Sequence, residues 1–394
     1  MTSAATCKAL GSLFARKPDP GFGLSREVRP YGPPGIRTGS TLCFFFLFLA
    51  ASISAASAQE MPDPPTTPSL HGEAPPQPFL GAMSIYFDND VFTGNDNKYT
   101  GGLGFAWTSA AAETYPERAF QRKIMRAFSF LPTMNDEGYR NYLQFVLGME
   151  AYTPTDIRSL DPPPGEHPYA GVVYVDSSLF SMSRIARHQL TLRLGLVGPA
   201  TGAEEVQRWI HEIIGSPLPQ GWDTQIKNEP IVNFFYQYNR RLLRRAPPDR
   251  FGFDFSWNGG GGAGNYYIGA NVGLTGRIGY RVPDNYGITP LLGGTEYTVG
   301  VAPPRKKFMV YAFLGAQGFG VVRWLPTDGN TIADSRSGDR DDWFLSLSGG
   351  VVLGYSRVLI SYRYHGLAGL QDPENFKTEN RSDFGTILVT VFLG

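Results

Sequence analysis

The sequence predicts an all-β protein, a transmembrane antiparallel β-barrel of about twelve strands with one short helix in an extracellular loop. Three observations lead to this fold class: an N-terminal segment built like an export signal, many short segments in which apolar and polar side chains alternate, and an even number of such segments. The 47 glycines, 20 tyrosines and 27 phenylalanines agree with it, because aromatic side chains fit a pleated surface and glycine permits close backbone approach.

Residues 1–58 are predicted to be an N-terminal leader and secretory signal peptide. An apolar run at residues 42–53 follows Arg37, and a small-x-small cleavage site ends at Ala58. The run falls short of the roughly 20 apolar residues that a membrane-spanning helix needs, so a signal is favoured over the alternative of a membrane anchor.

Composition narrows the function classes of the exported chain. The proline-rich residues 59–80 are predicted to be a disordered lead-in, and residues 81–394 to be the outer-membrane barrel domain. Both cysteines, Cys7 and Cys43, precede the cleavage site, which excludes disulfides, thiolate metal sites and a cysteine nucleophile from the exported chain. The formal net charge of zero provides no basic field, so we expect no nucleic acid as a partner.

The fold prediction depends on the alternation of apolar and polar side chains and on the number of predicted strands. Between Gln189 and Leu196 every second residue is leucine, which places one face in lipid and the other in a polar lumen. A soluble β-sandwich gives the same alternation, but no stretch of 18 apolar residues follows residue 80, which excludes a helical membrane protein. Twelve strands are predicted, near residues 83–90, 99–109, 140–153, 169–183, 187–199, 229–244, 251–259, 266–282, 306–324, 343–356, 358–369 and 384–393.

An even strand number returns both chain ends to the periplasmic side. If the first strand runs outward, six connections face the exterior, at about residues 91–98, 154–168, 200–228, 260–265, 325–342 and 370–383. Two periplasmic connections, 110–139 and 283–305, are longer than the usual tight turns, so this topology requires that they fold as small plugs or helices.

One helix is predicted within residues 203–214, in the third exterior connection. Thr201 is a possible cap and Gly215 a stop signal. Four of its residues form an apolar stripe that we expect to pack against the barrel wall: Val206, Trp209, Ile210 and Ile213.

Two features could carry chemistry, and strand parity assigns both to the exterior rim. Residues 88–102 gather six Asp and Asn side chains in a hairpin tip, where their oxygens could bind Ca²⁺ or simply serve the turn. His211, on the loop helix, could activate water as a neutral imidazole or be a solvated surface histidine. Simple alternation points Asn89 to lipid and Thr100 to the lumen, so a local bulge must re-aim at least one of them.

No other motif offers a competing catalytic centre: the chain has no G-x-S-x-G elbow, no H-E-x-x-H, no P-loop and no Rossmann glycine fingerprint. The sequence resembles the outer-membrane lipid A 3'-O-deacylase family. The resemblance rests on motifs in family order: Phe87-Asp88-Asn89-Asp90, Tyr99-Thr100-Gly101-Gly102, Pro168-Tyr169-Ala170-Gly171, Gly198-Pro199, Glu205-Val206-Gln207 with His211, Ile214-Gly215-Ser216-Pro217, Gly221-Trp222-Asp223-Thr224-Gln225 and Asn228-Glu229-Pro230.

The resemblance implies a site between the barrel wall and the loop helix, on the extracellular side of the outer membrane. It implies Ca²⁺-dependent hydrolysis of the ester that holds the 3'-linked acyloxyacyl group of lipid A in lipopolysaccharide. His211 would be the base that activates water. Asn89, Asp90 and Thr100 would surround the metal and the scissile carbonyl, with Asn89 and Asp90 as metal ligands.

Two other functions are compatible with an outer-membrane barrel. A non-enzymatic channel or structural barrel would use the Asx-rich tip and the loop helix only to shape the rim. An outer-membrane phospholipase would act on glycerophospholipids, although no serine nucleophile motif is present. In each case we expect a monomer in outer-membrane lipid.

Overall fold

Twelve antiparallel strands close into one barrel in the computed structural model. It describes residues 81–90, 93, 98–112, 119–131, 133–134, 136, 138–287, 307–371 and 382–393. Each strand pairs with its sequence neighbours, and the first pairs with the last. The strands are β1 Gly81–Asn89, β2 Lys98–Thr108, β3 Arg140–Thr153, β4 Ala170–Met182, β5 Ala186–Val197, β6 Glu229–Arg245, β7 Phe251–Gly264, β8 Tyr267–Tyr280, β9 Phe308–Trp324, β10 Trp343–Tyr355, β11 Val358–Gly369 and β12 Ser382–Leu393.

The predicted fold class is confirmed, and the predicted strands agree with the observed ones to within a few residues. The predicted leader and lead-in, residues 1–58 and 59–80, lie outside the described residues. The end of the barrel where β1 begins and β12 ends is called the terminal end below. The opposite end, which carries the connections after odd-numbered strands, is called the loop end.

The two faces of the barrel wall differ as the alternation predicts. On β1, Met83 and Ile85 point outward and are exposed, whereas Ser84 and Tyr86 point inward and are buried. The outward residues of the other strands are also apolar, such as Leu194 on β5. An exposed apolar exterior around a buried polar interior is the pattern of a barrel in lipid.

The interior of the barrel is packed with polar side chains. Arg193 binds Asp176 through its Nε, 2.8 Å from Oδ1, and its guanidinium lies 3.6 Å from the centre of the Tyr174 ring. Glu150, fully buried, accepts hydrogen bonds of 2.7 Å from the hydroxyls of Tyr152 and Tyr266. These contacts link β3, β4 and β5 to Tyr266, which directly precedes β8.

Two loops at the loop end bind each other. Residues 154–169 follow β3 and residues 325–342 follow β9, so the two connections lie half a turn apart in the ring of twelve strands. Gly165 and Gly338 form a backbone bridge, and the Thr327 hydroxyl is 3.0 Å from Nε2 of His167. Contacts between opposite sides of the ring must cross its opening.

The helices lie in the connections. Helix α1, Phe120–Ala127, occupies the long connection after β2, which fits the expectation of a helix there. Residues 288–306 of the other long connection lie outside the described residues. Helix α2, Ala203–Ile214, has the predicted bounds, and a one-turn helix α3, Leu325–Asp328, is an addition to the single loop helix that was predicted.

None of the helices in the described ranges is long and apolar enough to cross a membrane. Thr201 does not cap α2, so that prediction was wrong. Gly202, with φ of 69°, is the N-cap, and the Thr201 hydroxyl donates instead to the Gly198 carbonyl at 2.7 Å. Thr201 belongs to a preceding 3₁₀ turn, Pro199–Thr201, and its hydroxyl also accepts from the N–H of Ala203, the first residue of the helix, at 3.4 Å.

Candidate active site

Helix α2 lies against the outer face of the barrel wall and forms an open cleft with β1, β2 and β3. The sequence placed Asn89 and His211 at one rim, and the structure places both in this cleft. Its lining residues are Phe87, Asp88, Asn89, Gly101, Gly102, Leu103, Met149, Ala151, Ala203, Val206, Gln207, Ile210 and His211.

The wall beneath α2 is built from two rows of residues that are paired across strands. A row of small side chains follows Asn89, so the helix can come close to the strands: Gly101, Ala151 and Gly171. A Cβ on Gly171 would lie 2.5 Å from the Cβ of Ala203. The next row, nearer the middle of the wall, is apolar and consists of Phe87, Leu103, Met149 and Val173.

The face that α2 turns to the wall is not the predicted one. Its buried residues are Ala203, Gln207 and His211, spaced four apart, whereas Trp209 is 63% and Ile213 65% exposed. The expectation that the apolar stripe packs on the wall was therefore wrong for Trp209 and Ile213, whereas Val206 and Ile210 line the cleft opposite the wall. The polar face can be buried because the small row admits Ala203 and because the buried Trp222 indole donates to Oε1 of Gln207 at 2.8 Å.

His211 is 3% exposed and is oriented by the backbone. Helix α2 ends at Gly215, whose φ of 72° lets the chain reverse, and the Pro217 carbonyl oxygen then lies 2.6 Å from Nδ1 of His211. A carbonyl only accepts hydrogen bonds, so Nδ1 carries the proton and the lone pair of the neutral ring is on Nε2. This is the tautomer that a general base requires when Nε2 is the reacting atom.

Asn89 is the last residue of β1 and Asp90 follows it, and both are buried. Asn89 points outward, as simple alternation requires, and no bulge is needed to re-aim it because the cleft is on the outer face. Asp90 follows it but does not line the cleft. The Thr93 hydroxyl donates to the carbonyls of Asp90 and Asp383, at 2.7 and 3.0 Å, which fixes the turn after Asp90 to the start of β12.

The predicted bulge occurs at Thr100. The pairing of β2 with β3 shifts register between Tyr99 and Gly101, so Thr100 is the extra residue. The Tyr99 hydroxyl donates to Oδ2 of Asp88 at 2.8 Å and passes over Gly102, where a Cβ would lie 2.4 Å from the Tyr99 hydroxyl oxygen. This hydrogen bond on the inner face links Asp88, which precedes Asn89, to Tyr99, which precedes Thr100. The side chain of Thr100 lies outside the described residues.

The side-chain oxygens of Asn89 and Asp90 are of the type that binds a hard cation. Asn89 and Asp90 supply amide and carboxylate oxygens, which Ca²⁺ prefers, and both side chains are withdrawn from solvent. Within the described ranges, no group of three or more His, Cys, Asp or Glu side chains could hold a metal ion. Any complete shell would therefore also draw on amide, hydroxyl, backbone or water oxygens.

Sequence reasoning placed Gln207 next to His211 but gave it no role. It lines the cleft one turn before His211, and its Nε2 has no hydrogen-bond partner among the described residues. The spacing of four residues is the signal that identifies the pair, because it puts both on one helix face. Nothing in the sequence identifies the Pro217 carbonyl, because a backbone oxygen is present at every residue.

Comparison with known proteins agrees with the barrel fold described above. The family model described as outer membrane protein LpxR matches residues 42–392. A solved structure of LpxR from Salmonella typhimurium is 17% identical, covers 79% of this chain and 100% of its own, and superposes with a TM-score of 0.62, which shows that the fold is shared.

The β domain of the Bordetella autotransporter BrkA is 10% identical and covers 79% of this chain and 98% of its own, with a TM-score of 0.39, which is too low to bear on the fold. No curated protein matches the chain. The family match spans most of the sequence, and the twelve-stranded barrel agrees with the shared fold. The chain belongs to the LpxR family of outer membrane proteins.

Proposed function

We propose that this protein is a Ca²⁺-dependent lipid A deacylase that hydrolyses the ester of the 3'-linked acyloxyacyl group at the extracellular side of the outer membrane. The observation that carries the proposal is the setting of His211. It is a buried imidazole in a cleft on the lipid-facing side of the wall, with Nδ1 held by the Pro217 carbonyl. Membership of the LpxR family supports the same activity.

The cleft combines the two environments that an acyl ester needs. Phe87, Leu103 and Met149 give it an apolar wall that suits a hydrocarbon chain, and Asn89 and His211 give it a polar end. Because the cleft is outside the barrel, a lipid can enter it from the bilayer without passing through the lumen. A lipid ester is therefore a better fit than a soluble substrate.

His211 transfers the protons of the reaction, and Gln207 stabilises the negative charge that develops on the carbonyl oxygen. Nε2 of His211 takes a proton from water as the water oxygen bonds to the ester carbonyl carbon, and the imidazolium returns it to the sugar oxygen as the ester bond breaks. The Pro217 carbonyl keeps the ring oriented. The unengaged amide of Gln207 can donate to the carbonyl oxygen as negative charge develops on it.

Ca²⁺, when bound by Asn89 and Asp90, would supply Lewis-acid polarisation of the ester carbonyl. The bulged Thr100 precedes Gly101, which pairs with Asn89 across the strands, so both strands contribute to the same end of the cleft.

The test is mass spectrometry of lipid A from cells that express the protein, with His211→Ala as the inactive variant and Glu212→Ala, exposed on the next position of α2, as its control. We expect loss of the acyloxyacyl mass with wild type and with Glu212→Ala. We expect a decrease of roughly 10²–10⁴-fold with His211→Ala. An unchanged lipid A mass with folded wild type and added calcium would overturn the proposal.

Chelation tests the metal separately. Detergent-solubilised enzyme should lose activity in chelator and regain it with Ca²⁺, whereas persistence of activity would remove the metal from the mechanism. Release of fatty acid from glycerophospholipid but not from lipid A would favour the phospholipase alternative. The loops that cross the opening of the barrel disfavour the channel alternative.

A further inference from the structure

Helix α2 has three distinct faces, of which the cleft uses only one. At 100° per residue, the side chains of residues 203–213 divide into arcs that do not overlap. The site face contains Ala203, Gln207 and His211; the apolar face contains Val206, Trp209, Ile210 and Ile213; the charged face contains Glu204, Glu205, Arg208 and Glu212.

The apolar face is continuous with the outer surface of the barrel. Val206 and Ile210 are at its edge and line the cleft opposite the apolar row that contains Phe87 and Leu103. Further along the same strands toward the terminal end, Ile85 and Phe105 are exposed on the outward face. Residues beyond the cleft on the helix, such as the exposed Trp209, therefore extend the barrel's apolar exterior without interruption.

The opposite arc of the helix has the character of a water-facing surface. Glu205 and Glu212 are exposed, and Arg208 binds Glu204 at 3.1 Å on the same arc. An exposed apolar face, a charged face opposite it and a tryptophan between them are typical of a helix that lies in the plane of a membrane interface.

We propose that α2 is an interfacial helix, with its apolar face inserted among the acyl chains of the outer leaflet and its charged face at the headgroups. The occupant of the apolar face is the lipid that surrounds the barrel. The inference depends on outer-membrane location and on the helix, and it holds whether or not His211 is catalytic. It implies that the bilayer holds the helix that carries His211 against the wall.

The experiment uses single cysteines, because both native cysteines, Cys7 and Cys43, precede the predicted cleavage site. Trp209→Cys and Ile213→Cys probe the apolar face, and Glu205→Cys and Glu212→Cys are the matched probes on the charged face. Each is labelled with the same environment-sensitive fluorophore in the His211→Ala background and placed in vesicles of phospholipid and lipopolysaccharide. Quenching is measured with a nitroxide on the lipid acyl chain and with aqueous iodide.

We expect blue-shifted emission and several-fold stronger nitroxide quenching at positions 209 and 213, and stronger iodide quenching at positions 205 and 212. Equal iodide quenching at all four positions would overturn the proposal. Protection of positions 209 and 213 from both quenchers would also overturn it, because it would show that protein covers the face. The catalytically inactive background keeps this outcome independent of the proposed reaction.

A second measurement does not depend on labels. Hydrogen exchange of the α2 backbone amides should be slower in vesicles than in detergent for the unlabelled His211→Ala protein. A Trp209→Ser, Ile213→Ser variant should remove that difference while the strand amides stay protected. Equal exchange in the two media before substitution would contradict the interfacial position.

Discussion

The inner and outer faces of the wall formed by β1–β5 carry polar groups of opposite kinds. On the inner face, Arg193 forms ion pairs with Asp176 and Glu150, and Glu150 also accepts from tyrosine hydroxyls, so each charged group faces an opposite charge. On the outer face, Gln207 keeps an unengaged amide within the cleft, and His211 has only its Nδ1 side fixed by backbone. Polar groups that are paired with each other stabilise a fold, whereas groups that are held in place but keep an unused donor or acceptor can bind a ligand.

The largest effect should come from breaking the inner face. Arg193→Met would leave the buried Glu150 and the partly buried Asp176 without their cation, so we expect the free energy of unfolding to fall by about 3–5 kcal/mol. Denaturant unfolding in vesicles measures it, with Leu194→Met on the lipid side of the same strand as control. The kcat per folded molecule should stay near wild type. An unchanged stability would show that this network does not stabilise the barrel.

The outer face should respond in the opposite way. Gln207→Glu keeps an oxygen that can accept from the Trp222 indole but removes the amide donor from the cleft. We expect kcat to fall by about 10²–10³-fold, as for loss of one oxyanion donor, with a smaller loss of stability than for Arg193→Met, because a carboxyl group at this position can take up a proton. Steady-state deacylation and denaturant unfolding are compared with those of Glu204→Gln on the charged face. Wild-type kcat would remove Gln207 from the reaction.

Tyr99→Phe tests whether the two faces communicate. It removes the hydroxyl that binds Asp88, which directly precedes the outward Asn89. We expect a drop in kcat of about tenfold, equivalent to about 1.4 kcal/mol, at nearly constant KM. Tyr355→Phe, which removes an exposed hydroxyl from the end of β10, is the control. A change in stability alone, with kcat preserved, would confine Tyr99 to the interior network.

The smallest effect should come from a region remote from both faces, the turn between β6 and β7. Hydrogen bonds from Lys307 and Arg281 lower the pKa of Asp249 in the folded barrel. A folded pKa below the unfolded one stabilises at pH above the unfolded value of about 3.9, and this contribution is lost as pH falls through the folded pKa. Asp249→Asn should therefore lower the melting temperature slightly at neutral pH and not in acid. An equal decrease at both pH values would contradict this linkage.

The barrel could be predicted in detail because each strand carries its own signal. In Gln189–Leu196, alternation fixes the face of every residue, and the strand number fixes which connections share an end. Parity alone places Asn89 and His211, more than a hundred residues apart, at the same end of the barrel. The bulge at Thr100 was predictable for the same reason, because alternation failed there.

The orientation of α2 could not be predicted from the same rules. An apolar stripe indicates the buried face of a helix only when water is the alternative, and Trp209 and Ile213 have an apolar exterior beside them. The partner of His211 was also inaccessible, since the Pro217 carbonyl reaches it only through the chain reversal at Gly215. Both failures concern tertiary surroundings rather than local pattern.

The loops that meet across the opening have a mechanical consequence. A ring tied across its diameter resists flattening, so the bridge between Gly165 and Gly338 keeps the cross-section of the barrel round under lateral pressure from the bilayer. Asn330 extends the tie to the loop that carries α2, because its side chain binds the backbone of Lys227 at 2.7 and 2.8 Å. The same loop, residues 325–342, therefore contributes both to the round cross-section of the barrel and to the position of the loop that carries α2.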